Sequence, residues 1–123
     1  MADAFTENKF YTRTEIFDVL GGSKEFFLPH VNGHVVCGCF TKDLNPGAPS
    51  EVLPGSGPEI ERWAHAFASQ SEAVPIFLKK DVNEWQFMGL WRCVLKSLDP
   101  NERRAREQRL GRDVSMILKL EKI

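Results

Sequence analysis

Four residues of metal-ligating type, His30, His34, Cys37 and Cys39, fall within ten positions of one another. Zinc accepts that ligand set, and two strand cysteines separated by one residue project to the same side. Structural zinc, however, commonly draws paired cysteines from a tight knuckle with two residues between them. Free cysteine is also a small buried residue in its own right, which would pack Cys37 and Cys39 beside Val35. The motif is not Cys-x-x-Cys ahead of a helix, so it is not a redox pair. The expectation is that the pair is scaffold, with no metal and no cofactor.

Nucleophilic catalysis has less support. Ser56 in LPGSGP precedes a proline-started helix and does not follow a strand, so it is no nucleophile elbow. There is no P-loop and no complete dinucleotide fingerprint. His65 falls on the polar side of its helix. An enzyme is therefore not expected. The aromatic and basic residues carry more. Trp85 and Trp91 alternate onto one strand face with Gly89 between them, where a missing side chain permits close approach. That face is either buried core or a platform on which a planar base stacks. Arg103, Arg104, Arg106, Arg109 and Arg112 crowd one helix and its end. They form either a solvated surface or a phosphate-binding one.

The elements that must position these groups can be read in order. Thr12-x-x-Glu15 is a capping box, and Ile16, Phe17, Val19 and Leu20 form a short helix stopped by Gly21-Gly22. Phe26-Phe27-Leu28 reads as a brief strand or extended segment ended by Pro29. Residues 34–40 read as a strand with Val35, Cys37 and Cys39 on one face and His34, Val36, Gly38 and Phe40 on the other. Three prolines and three glycines make most of 41–57 irregular. Pro58 starts a helix whose stripe is Ile60, Trp63, Ala64 and Phe67, expected to cover the cysteines. Residues 74–79 and 85–96 form a hairpin, Asp99-Pro100 caps a charged helix ending at Gly111, and 114–120 is a last strand.

A chain of 123 residues is expected to be a single domain over 1–123, with 1–11 as a flexible N-terminal segment. No apolar run approaches the roughly 18–20 residues that span a bilayer. The acidic start (MADAFTENKF) has no apolar signal core, and three cysteines argue for free thiols in a reducing compartment. The expected location is intracellular and nuclear, and the expected state a monomer without membrane contact. The net charge of −1 conceals an asymmetry: Lys79–Arg112 holds nine basic and five acidic residues, the remainder seven and twelve. One face thus suits a polyanion.

The run VVCGCF…LNPGAP…LPGSGP…W…F…VPIFLK…W…MGLWRCV resembles a fungal domain of unknown function over most of the chain. That layout is similar to SRA-like modules of the PUA-like superfamily, which read modified bases. Trp85-Gln86-Phe87-Met88-Gly89-Leu90-Trp91 matches their hairpin return, aromatic-x-x-x-Gly-x-aromatic. Where those modules show aromatic-Asp-Gly near the pocket, this chain has Phe40-Thr41-Lys42-Asp43, and it lacks their strongly basic balance. The resemblance implies an α+β fold: a small, curved, mostly antiparallel sheet or barrel flanked by about three helices. It also implies a non-catalytic domain that binds modified double-stranded DNA with a base flipped into a pocket. Phe40, Trp85 and Trp91 would stack on that base. Asp43 and Asn45, on the loop with Thr41 and Lys42, would read its edge, and Arg103, Arg104, Arg106 and Arg109 would hold phosphates. An RNA reader of the same fold and a protein-interaction module are the alternatives.

Overall fold

A computed structural model describes residues 4–123. The elements are β1 (Phe10–Tyr11), α1 (Arg13–Leu20), β2 (His30–Val31), β3 (His34–Val35), β4 (Gly38–Phe40), β5 (Glu51–Val52), α2 (Pro58–Ser69), β6 (Val74–Asp81), β7 (Glu84–Ser97), α3 (Pro100–Leu110) and β8 (Ile117–Lys122). Six strands make one sheet in the order β4-β6-β7-β8-β5, with β1 added to β7. Among the described residues only β4–β6 is parallel, and the other pairings are antiparallel. The α+β architecture expected from the SRA-like resemblance, a small, mostly antiparallel sheet with three helices, is the one observed. Among the described residues no helix is long and apolar enough to cross a membrane.

The sheet is covered on both faces because β6 alternates two apolar sets. Val74, Ile76 and Leu78 enter one cluster with Phe40, Trp63, Ala64, Phe67 and Leu118. Phe77 enters the other with Phe5, Ile16, Leu20, Cys37, Cys39, Trp85 and Phe87. Helix α2 thus covers the first face and α1 the second. Local chemistry fixes both helices. Thr12 and Glu15 form the reciprocal capping box of α1, and Pro58 occupies the first turn of α2. α3 buries no side chain, yet starts on Asp99 and ends on left-handed Gly111.

Several local expectations are corrected. Residues 4–11 are docked, not a flexible segment: Phe5 is buried and β1 pairs β7, while residues 1–3 lie outside the described residues. Phe26–Leu28 is not a strand. The strand read over 34–40 is broken at Val36-Cys37, where Val36 N–H turns aside to donate to Pro29 O. The break puts Val35 in the α2 cluster and Cys37 and Cys39 in the α1 cluster, so α2 does not cover the cysteines.

The decisive irregularity lies in β7. Pro75 pairs Leu90 and Phe77 pairs Phe87, so one residue of β6 opposes two of β7, at Met88 and Gly89. Gly89 has φ +97°, a conformation L side chains resist. This bulge reverses the alternation: Trp85 and Phe87 face the α1 cluster, whereas Trp91 and Cys93 pack on the α2 cluster. Trp85 and Trp91 therefore do not share a face. The group that comes close to Gly89 is the Glu7–Lys122 ion pair, Lys122 Cε lying where a Cβ would meet it at 2.8 Å.

Candidate nucleic-acid interface

A cleft of about 380 Å³ opens where α1, the turn after β4 and the β6–β7 hairpin meet. Four residues expected in a base pocket line it: Phe40, Thr41, Asn45 and Trp85. A second cleft of about 550 Å³ shares Thr41, Leu44 and Lys79 with it and adds Lys42 and Asp43. The tertiary structure thus gathers six of the seven expected pocket residues along two adjoining clefts. Trp91 is the exception, carried elsewhere by the bulge, with its indole N–H donating to Met88 O at 2.9 Å.

Their individual states narrow what each can do. Phe40 is 1% exposed and belongs to the core, so it supports the wall and offers no open face. Asn45 is committed at both ends of its amide. Its Oδ1 accepts from Leu53 N at 2.8 Å and its Nδ2 donates to Thr41 O at 3.2 Å. It therefore shapes the turn. Thr41, Lys42 and Asp43 remain open to solvent to differing degrees, and Leu44 stands 52% exposed on the ridge between the clefts.

Trp85 is only 8% exposed, less than Trp91, because the apolar half of its ring is sealed into the α1 cluster. Two cations flank it: the Arg13 guanidinium carbon lies 5.2 Å from the ring centroid and Lys79 Nζ 5.9 Å. β6–β7 pairing sets Lys79 directly opposite Trp85. Arg13, at the first turn of α1, falls three and seven positions before Ile16 and Leu20 and so shares their buried face. Its Nη2 donates to Ser23 O at 2.8 Å and Phe26 O at 2.9 Å. Lys24 and the exposed Glu25 complete the charged rim. Arg13, Lys24, Lys79 and Phe27 are site residues that the sequence reading missed. The available signal was a cation standing in the apolar stripe of α1.

The arginines of α3, expected to hold phosphates, are partly committed within the fold. Arg106 makes a two-point ion pair with Glu51, Nη2 to Oε2 at 2.9 Å and Nε to Oε1 at 3.3 Å, and Lys119 joins it. Those partners hold the Glu51 carboxyl at about 2, through the Arg106 hydrogen bond first, and raise Arg106 in return. Arg103 has its Nε buried without a partner. Arg112 donates to Leu44 O, Leu53 O and Asp113 O, tying the turn to the end of α3. Only Arg104 and Arg109 stand exposed, and none of the α3 arginines lines either cleft.

The candidate metal ligands do not converge. His30 stacks on Trp63 at 3.4 Å between centroids, His34 is exposed, and the cysteines sit in the other cluster. Among the described residues no group of three or more His, Cys, Asp or Glu side chains is placed to hold a metal. The hydrogen bond that the Cys37 thiol makes to Cys39, and then burial, push the Cys37 thiol far up, so it stays protonated.

No family model matches the chain, and no curated protein matches it. In a comparison with solved structures, it is similar to a type IV phosphorothioation-dependent restriction endonuclease, ScoMcrA, with a TM-score of 0.55 and 13% identity. The alignment covers 94% of this chain and 27% of that one, so the likeness is one of fold, to part of a longer protein.

Proposed function

We propose that this chain is a non-catalytic nucleic-acid-binding module that reads a modified nucleotide, with its contact surface at the Trp85 cleft and not on α3. The observation that carries the reading is the meeting of Trp85, Thr41 and Phe27 with Arg13, Lys24 and Lys79 in one concavity. Apolar walls suit a base, and cations lining the cleft suit the phosphates that flank it. The neighbouring Lys42 and Lys80 extend the basic track along the second cleft, against Asp43 and Asp81. Catalysis has no comparable support, since the charged side chains that line the first cleft are three cations and one exposed carboxylate. The fold likeness to a restriction endonuclease that depends on phosphorothioation adds weight to modified double-stranded DNA as the target.

The test is a binding panel. One duplex and its two single strands, each unmodified or carrying modified cytosine or adenine, are titrated by fluorescence anisotropy at several salt concentrations. Tighter binding of a modified duplex, weakening steeply between about 50 and 200 mM salt, is the expected result. Preference for the modified single strands would assign the cleft to single-stranded nucleic acid. Salt-independent or absent binding would overturn the reading.

A further inference from the structure

Arg13 is 8% exposed, and no carboxylate pairs with it among the described residues. A buried cation is ordinarily paired, because desolvation penalises an isolated charge heavily. Here only Nη2 is satisfied by side-chain geometry, through the Ser23 and Phe26 carbonyls. Nε is sealed without a hydrogen-bond partner, and Nη1 donates to nothing among the described residues. The guanidinium nonetheless lines the cleft, and the exposed lysines Lys24 and Lys79 stand on its walls. Three cationic residues line the cleft, with Lys79 Nζ 5.9 Å from the Trp85 ring and Lys24 Nζ 5.1 Å from Phe17, and its one lining carboxylate, Glu25, is exposed.

The geometry points to an oxyanion subsite at the floor of this cleft, anchored by Arg13 and walled by Lys79 and Lys24, that takes the acidic group of a nucleotide. The group is a phosphate or a carboxylate carried on the base; both present planar or tetrahedral oxygens that a guanidinium meets with paired hydrogen bonds. The inference rests on the nucleic-acid reading for the identity of the ligand, but not for the existence of the subsite. Beside the bonds to the Ser23 and Phe26 carbonyls, it gives a second reason for a charge kept in an apolar cluster next to Trp85.

Two measurements test it. In the first, thermal melts compare inorganic phosphate with chloride at equal ionic strength for the wild type, Lys24→Met, Lys79→Met and Arg13→Gln. The wild type should gain about 2–4 °C in phosphate, and the lysine variants should lose most of that gain while keeping their melting temperature in chloride. Arg13→Gln adds to this if it folds; the exposed lysines decide the matter if it does not.

In the second, anisotropy compares one duplex whose central cytosine bears a 5-carboxyl, a neutral 5-carbamoyl or a 5-methyl group. A carboxyl duplex bound roughly tenfold tighter than the carbamoyl one, with the gap closed in Lys79→Met, assigns the anion to the base. Equal affinity for all three, with a salt slope reduced by about one in each lysine variant, assigns it to a phosphate. Phosphate stabilisation without binding of any duplex would retain the subsite and refute the nucleic-acid reading. Identical phosphate responses, affinities and salt slopes in wild type and variants would overturn the subsite.

Discussion

Trp85 lies between two roles at the scale of a single residue: one edge is packed against Ile16, Phe77 and Phe87, while the cleft-facing part carries Arg13 and Lys79. Its burial decides the outcome of truncation. Trp85→Ala should cost about 3–5 kcal/mol of stability, read as a large fall in melting temperature, because the cavity opens inside a close-packed cluster. Trp91 is half-buried and anchored through Met88 O, so Trp91→Ala should cost less, about 2 kcal/mol, and leave nucleic-acid affinity unchanged. A loss of binding specific to Trp91→Ala, with the fold intact, would contradict the placement of the site. Arg106 behaves as a bolt between α3 and β5. Arg106→Ala strands Glu51 with Lys119 alone, and the salt slope of binding should not change, since Arg106 is committed to a carboxylate.

The informative elements are those whose local geometry aims the site. The capping box holds the first turn of α1, and that turn carries Arg13. Thr12→Ala should lower stability by about 1 kcal/mol in denaturant melts. It should also weaken binding more than a helix-surface change of equal stability cost, if Arg13 is displaced with the turn. The β7 bulge is the second device. Gly89→Ala meets a φ of +97° and a contact at 2.8 Å with Lys122, so the strand must either strain or shed the bulge. A destabilisation of about 1–3 kcal/mol is expected. A neutral result would show that the strand slips to a regular register, which the cross-strand pairs could reveal by amide hydrogen exchange.

For the whole molecule, acid sensitivity follows from the Glu51 cluster. The carboxyl sits at about 2 in the fold against 4.5 ordinarily, so its contribution is complete above pH 4.5 and lost as pH falls toward 2. Glu51→Gln should therefore be less stable than the wild type at neutral pH, and the gap should close between pH 4.5 and 2. A gap that persists to pH 2 would mean that packing, and not the charge, holds β5 against α3. The charge asymmetry has a matching consequence. The basic excess over Lys79–Arg112 is partly neutralised inside the fold, so net basicity of that segment overstates the surface offered to a polyanion.

Helix boundaries were legible in the chain because they depend on a few adjacent residues. Thr12/Glu15, Pro58, Asp99-Pro100 and Gly111 each act through bonds within one turn, and the helices begin and end there. The hairpin of β6 and β7, the irregular 41–57 stretch and the gathering of Phe40, Thr41, Lys42, Asp43, Asn45 and Trp85 were legible too. What alternation could not supply was the side of the sheet. A single unpaired residue at Met88-Gly89 parts Trp85 from Trp91, and the break at Val36-Cys37 parts Val35 from the cysteines. Both are set by cross-strand register, which no local pattern encodes. Partners far apart in sequence decided the charges in the same way. Glu51 claims Arg106 across 55 positions, while Arg13, read only as part of a helix start, reaches the cleft because α1 lies over β6 and β7. Local chemistry determined the elements; burial and register, which exist only once the sheet closes over both faces, decided which charges and rings remain available to a ligand.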